Sequence, residues 1–444
     1  EAAVSGDAAE NITEAVETEP EETGPVAELP DKTYNGEEVM FLTSHNSGYD
    51  WYSSYEIYAA EMTGELINDA VFQRNNEIEE LLDIKIAETK LENCHTTASS
   101  SIVAGDKQFD VVMPYMNSTI TLAVQGSLLD LKQIPSLDLE KPWWDGRANK
   151  DLVINDRLFI TTGDIAILDN ECTMVMFFNK DIIEEHNLKT IYALVDDNEW
   201  VYEKFFEYCE IAKKDDGDGQ VGLTDTFGAC AQGFGFVMTM GSGEMLVAKD
   251  ADDYPIIAAT ENATRFIDVV SYLTEKISGN TALYQGEGAT VSALFGNGQS
   301  LFYAEVLAEA KTMRTNYEIN FGIIPMPKYN ADQDNYYQYS TGRNTTVICF
   351  PHTAKDDILD MSTFLVEAMA IESITTVKPA YYDVCLKGRY ADDVESALML
   401  DIVTTCVATD FAEIYGWGGF HSTVQGAITS GAPIASILKK NAVA

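Results

Sequence analysis

Residues 72–88 read FQRNNEIEELLDIKIAE, and the hydrophobic period changes in the middle of this stretch. Over Phe72–Leu82 the apolar positions fall on one face of a helix, and from Ile84 they alternate as in a strand. Upstream, Glu38–Thr43 (EVMFLT) reads as a short buried strand, followed by turn residues at Ser44–Asp50 (SHNSGYD). Downstream, a second helical stretch precedes a third strand at Phe109–Pro114 (FDVVMP). Strands alternating with helices, with the strands apolar throughout, predict an α/β fold whose mostly parallel sheet is covered on both faces. Such sheets bind ligands beyond the carboxyl ends of their strands, which directs attention to the loops after Thr43 and Pro114.

Further along, Leu158–Thr162 and Met174–Asn179 read as strands, and helical patterns then dominate from Lys180 through Ala282, including Trp200–Ala212. Strand-like runs return at Phe321–Pro327 (FGIIPMP) and Thr345–Pro351 (TTVICFP), before an amphipathic helix at Ile358–Ile371 and an aromatic-rich end. A chain of 444 residues, 46% of them hydrophobic, is too long for one compact core, so two units are expected, with the chain crossing between them more than once.

Against 72 Asp and Glu stand 28 Lys and Arg, a formal charge of -44 that repels nucleic acid and anionic membrane surfaces. Residues 1–31 hold ten carboxylates and neither Lys nor Arg, so this end is expected to be disordered, as a solvated tail or a stalk. Nothing approaches the ~20 consecutive apolar residues of a spanning helix. The first residues lack the basic start and apolar core of a signal peptide, so the sequence reads as a processed form. Seven cysteines, at 94, 172, 209, 230, 349, 385 and 406, have no CxxC spacing and read as mostly buried small hydrophobes.

The five histidines (45, 95, 186, 352 and 421) have no HxxxH or HExxH spacing, and no GxSxG, Walker loop or GxGxxG follows a strand. Zinc, acyl-transfer and nucleotide chemistry therefore have no support. So many acids make a pair spaced for glycoside hydrolysis easy to find by chance, but no motif singles one out. Lys214–Asp225 (KDDGDGQVGLTD) follows the register of a calcium loop, with Asp216, Asp218 and Asp225 at ligand positions and Gly219 at the glycine. Its first position is Lys214 in place of a carboxylate and its last acid is Asp in place of Glu, which leaves a plain surface turn as the alternative to structural calcium.

Several blocks then occur in one order: RNNEIEELLDIKI, FDVVMPYMN, QGSLLDL, PWWD, INDRLFITTGD, FFNKDIIEEHNL, FGIIPMPKYN and PAYYDVCLKGRYADD. From about Tyr34 to the C-terminus the chain resembles the family 1 extracellular solute-binding proteins, of the maltose-binding type. The resemblance implies a two-lobed, type II periplasmic-binding-protein-like fold with a central ligand cleft, hinge crossings and no catalysis. It places an acidic linker at 1–33, one lobe at 34–163 and 322–375, and a helix-rich lobe at 164–321 and 376–444. It further implies an extracellular receptor that captures a carbohydrate, most naturally an oligosaccharide, and passes it to the membrane subunits of an ABC importer, with a monomer as the default state. Lipoprotein members carry their lipid on a cysteine at the mature N-terminus. No cysteine precedes Cys94 here, so the anchoring residue is expected outside the sequence.

Sugars present flat CH faces ringed by hydroxyls, so their sites combine aromatic platforms with Asp, Glu, Asn and Arg. Loops after the parallel strands offer His45, Asn46 and Trp51, then Tyr115 and Asn117. Asp164, directly after FITTG, is placed to clamp hydroxyls where the lobes meet, or else to cap a turn. By resemblance, FYAEV at 302–306 contributes Tyr303 and Glu305, and the loop Tyr415–Gly418 contributes Tyr415 and a stacking Trp417, for which a lobe-packing role is the alternative. Trp143 and Trp144 read as structural. A peptide or other polar solute would suit the same residue types, and an adhesin or sensor could use the same two lobes.

Overall fold

The computed structural model describes residues 32–48, 53–260, 262–354, 357–386 and 394–441. The acidic segment 1–31 and Trp51 lie outside them. Among the described residues twelve strands run in chain order: β1 Glu37–Ser44, β2 Ile84–Leu91, β3 Val111–Met113, β4 Met174–Asn179, β5 Phe227–Ala231, β6 Val247–Lys249, β7 Pro255–Ile257, β8 Leu283–Gln285, β9 Ser300–Val306, β10 Phe321–Ile324, β11 Gln338–Tyr339 and β12 Val407–Ala408. They form a three-stranded sheet, β2-β1-β3, a five-stranded sheet, β10-β4-β9-β5-β8, and two short ribbons, β11-β12 and β6-β7.

The first sheet is parallel, with Phe41 opposite both Glu88 and Val111. The stretch that decides the fold is a helix over Leu66–Leu82 running straight into β2. Its buried positions Ile67, Val71, Ile78 and Leu82 lie on one side, as helical spacing requires. They serve two cores: Ile78 and Leu82 join the first sheet's core with Val39, Phe41 and Val112, while Ile67 and Val71 pack with Val175, Phe177 and Tyr303 of the second.

The second sheet is covered on both faces, and alternation along its strands shows it. Met176, Phe178, Ala229, Phe302 and Ala304 enter one cluster; Val175, Phe177, Cys230 and Tyr303 enter the other. This sheet is mixed where a mostly parallel one was predicted, because β4 runs antiparallel to both β9 and β10. Asn179 closes β4 and caps the helix Lys180–Glu185, accepting from the backbone of Asp181 at 2.9 Å and of Ile182 at 3.3 Å, which explains the NKDIIEE block.

Strand β5 falls within the region read as helical. Its residues, FGACA, carry no β-branched side chain, and Gly228 is there because a Cβ would lie 2.2 Å from Cys209 Cα of the helix Tyr202–Ala212. Leu158–Thr162 and Thr345–Pro351, expected as strands, instead make isolated bridges: Thr161 to Ile348, Val112 to Cys349 and Tyr115 to Thr346.

Besides a third crossing after Ser373, from the helix Asp357–Ser373 on the first core to the helix Val377–Leu386 on the second, two extended segments carry the chain between the sheets. One runs from Thr161 to β4 through a helical turn at Ile167–Glu171; the other runs back from β11 to Cys349. They are joined by bridges at Thr173–Ser340 and Thr161–Ile348. The boundary expected at 322 is therefore displaced: Phe321–Ile324 pairs with β4 in the second sheet, and the chain reaches the first lobe only near Gly342–Thr346. The six described cysteine side chains form no disulfide, and five are buried. Among the described residues no helix is long and apolar enough to cross a membrane.

Candidate functional site

Strands β5 and β9 run parallel and side by side, so their carboxyl ends open onto the same space. There Gln232 and Gly233 follow β5, and Glu305 is the next-to-last residue of β9. The facing wall comes from the second crossing segment (Tyr339, Thr341, Arg343, Asn344) and from C-terminal elements carrying Glu413, His421 and Gln425. Together with Phe236 they enclose a cavity of about 300 Å³ between the lobes.

Its polar side chains are held in place by one another. Glu305 is 9% exposed and accepts from Gln232 Nε2 at 2.9 Å and from the Val306 amide at 3.0 Å. Burial pushes its carboxyl above the usual range, and the Gln232 bond only partly offsets that. Gln425 Oε1 accepts from the Phe236 amide at 2.9 Å, and Gly233 permits it, since a Cβ there would stand 2.8 Å from the Gln425 amide nitrogen. Glu413 meets His421 Nδ1 at 2.8 Å and Arg343 Nε at 3.9 Å. Burial raises the Glu413 pKa, but hydrogen bonds from His421 and Tyr339 with the charges of His421 and Arg343 outweigh it and leave the carboxyl below its ordinary value. The His421 ring lies flat on Phe236, with centroids 4.0 Å apart and planes at 16°. A cavity with amide, carboxylate, guanidinium and hydroxyl groups beside aromatic surface suits a solute rich in hydrogen-bonding groups.

Of the residues singled out from sequence, Glu305 lines this cavity. Tyr115 and Asn117 stand at its first-lobe edge: Tyr115 bridges Thr346, and the Asn117 amide donates to Gly342 O at 2.9 Å, beside Arg343 and Asn344. Tyr303 is not a cleft residue. It is 1% exposed, packed against Phe177 and Phe295, with its hydroxyl 3.4 Å from Glu309. It shares a strand face with Glu305 but sits two residues deeper, where the helices cover the sheet. His45 and Asn46 tighten their own loop: His45 Nδ1 lies 2.9 Å from Ser53 Oγ, which also accepts from the Asn46 amide. Trp417 is 37% exposed and packs on Tyr415, centroids 4.7 Å apart, without lining the cavity. Tyr415 faces a small apolar crevice with Phe411, Ile120 and Phe159.

Asp164 lies on the other side of the crossing segments. There a cavity of about 270 Å³ is lined by Trp143, Trp144, Asp164, Asp169, Ser340 and Lys378. Ser340 faces this cavity while its neighbours Tyr339 and Thr341 face the first, as the alternation of an extended chain requires. Asp164 is paired with Lys378 at 2.9 Å, so its carboxylate braces the lobes. Trp143 and Trp144 are buried and donate to Glu367 at 2.7 and 3.1 Å.

In the acidic loop, Asp225 accepts from the amides of Asp216 and Gly222, both at 2.9 Å, and so fastens the loop's backbone. The carboxylates that gather, with oxygens within 4.8 Å of one another, are those of Asp215, Asp216 and Asp218.

Gln232, Arg343, Glu413, His421 and Gln425 were not foreseen. The loop QGFGF directly after a buried strand was the available signal for Gln232, and it is lost once β5 is read as helix.

Two lobes, a bridged pair of crossing segments and a polar cavity between them define a two-lobed binding protein. The chain belongs to the bacterial extracellular solute-binding protein family, whose pattern matches residues 73–373. Its fold is similar to that of the solute-binding protein RafE in complex with raffinose (15% identity, TM-score 0.51, covering 91% of this chain and 99% of that one). It is similar also to the maltose/maltodextrin-binding domain MalE of Bdellovibrio bacteriovorus bound to maltotriose (14%, 0.53, 91% and 98%). A Rhizobium etli sugar transporter protein in an open conformation is a further likeness (13%, 0.57, 92% and 99%). No curated protein matches at the level of sequence.

Proposed function

We propose that this solute-binding protein captures a carbohydrate in the cavity between Gln232, Glu305, Arg343, Glu413 and His421 and delivers it to the membrane subunits of an ABC importer, without catalysis. The observation that carries the reading is the lining itself: amides and carboxylates fixed by hydrogen bonds next to the Phe236–His421 stack, at the carboxyl ends of parallel strands. The similar folds of RafE with raffinose and MalE with maltotriose support a sugar as the solute. Ligand that touches both walls favours the closed arrangement by its extra contacts there, and that arrangement is what a permease reads. The receptor works outside the cell membrane, held to it by lipid, as a monomer.

Thermal unfolding against oligosaccharides, peptides and polyols tests this. A ligand at 100 times its Kd stabilises the native state by about 2.7 kcal/mol, an easily read shift. A shift with an oligosaccharide recovered intact afterwards is the expected result. Recovery of cleaved sugar would replace the receptor by an enzyme, and a shift with peptides alone would move the solute class.

A further inference from the structure

Among the described residues, four charged or titratable side chains other than tyrosine line the cleft cavity: Glu305, Arg343, Glu413 and His421. Glu413 holds both groups able to carry positive charge, His421 at 2.8 Å and Arg343 at 3.9 Å, while the partners of Glu305 are the neutral Gln232 amide and a backbone N–H. Position sharpens the imbalance. The Arg343 side chain is 71% exposed, where water and salt screen it, whereas Glu305 is 9% exposed in a medium that screens poorly. The whole chain carries a formal charge of -44, which adds a long-range repulsion of anions.

Resting on the assignment of this cavity to a sugar, we infer that Glu305 selects by charge: the receptor takes uncharged or amino-bearing sugars and rejects acidic ones such as uronic-acid oligomers. An acidic ligand brings a carboxylate against one that has no cation of its own among the described residues. A hydroxyl donates to Glu305, and an ammonium supplies the missing charge. Repulsion between like charges at this depth corresponds to affinity weaker by on the order of tenfold or more.

Calorimetric titration of the full chain with maltotriose, trigalacturonate and triglucosamine tests the selection, at moderate and at high salt. Binding of maltotriose or triglucosamine at least tenfold tighter than trigalacturonate is expected, with the ratio narrowed in Glu305→Gln. Glutamine keeps the acceptor for Val306, and the Gln232 amide can turn to preserve its bond. Trigalacturonate bound as tightly as maltotriose overturns the charge selection and leaves the sugar assignment standing, and so does a ratio that Glu305→Gln does not move. No binding of any of the three, with a peptide or polyol bound instead, overturns both.

Discussion

Thr173 and Ser340 are bridged where the two crossing segments leave the second sheet, and this pairing makes the segments one ribbon with a cavity on each side. A rotation about such a ribbon that closes one side opens the other, so groups on the far side act on ligand binding without touching ligand. The Asp164–Lys378 pair is placed to do this, as it ties the first crossing to the helix Val377–Leu386.

Lys378→Met is expected to lower stability by roughly 2 kcal/mol, because it strands a nearly buried carboxylate. Burial already raises the Asp164 pKa, and the Lys378 charge opposes that rise. Without the lysine the carboxyl moves further up. A group with a raised folded-state pKa loses stability as pH rises, so the deficit should be larger at pH 8 than at pH 5. Urea midpoints at the two pH values measure it, and Asp164→Asn combined with Lys378→Met should recover most of the loss. An equal loss at both pH values would mean that packing, not charge, holds this joint.

Tyr303 and Glu305 should separate cleanly. Tyr303→Ala is expected to cost about 3–5 kcal/mol, because it empties a site walled by Phe177 and Phe295. Tyr303→Phe should fold with ligand affinity unchanged. Glu305→Ala should cost affinity well before it costs fold, seen as a raised Kd with a melting temperature near that of the parent.

His421→Ala removes the ring that covers Phe236 and the donor to Glu413. Affinity for the oligosaccharide selected by thermal shift is expected to fall about tenfold, the scale of a lost aromatic contact with its hydrogen bond. Trp417→Ala, at a residue outside the cavity lining, is expected to change affinity by less than about threefold, which is within the effect of an exposed contact. The reverse order would place the ligand against the Tyr415–Gly418 loop instead.

What the sequence shows and hides follows from the kind of signal each residue carries. The end of the helix and β2 were legible because the helical spacing of Ile78 and Leu82 changes to the alternation of Ile84 and Ile86 within a few residues, although the helix begins at Leu66, six residues before the Phe72 expected. Strand β5 was hidden because small residues chosen for close packing against Cys209 have no period to read. Glu305 was reachable through resemblance in order, but Glu413 and His421 come from a helix-rich end whose pattern describes packing alone. They face Glu305 only because the chain returns there after crossing twice, a tertiary relation that no local window contains.

Glu56 gives the last test, in a buried cluster on the first lobe. Burial pushes its carboxyl from 4.5 to about 7, opposed in part by hydrogen bonds from the backbone, including the Tyr55 amide at 2.7 Å. The charged groups around it are the buried Arg74, whose guanidinium donates to the Glu56 carbonyl at 2.7 Å, and more distantly Lys90 and Glu88. The folded state therefore binds this proton more tightly than the unfolded chain. Its contribution is fully present below about pH 4.5 and lost as pH rises through about 7. The shift corresponds to roughly 3 kcal/mol. Glu56→Gln keeps the acceptor for the Tyr55 amide and cannot ionise, so its stability should fall less than that of the parent between pH 5 and pH 8. Chemical denaturation of both proteins across that range checks it. The buried Glu367, also raised to about 7, titrates alike in the two and cancels in the difference. Parallel pH profiles would show that Glu56 stays charged in the fold through a partnership with Arg74 stronger than its burial.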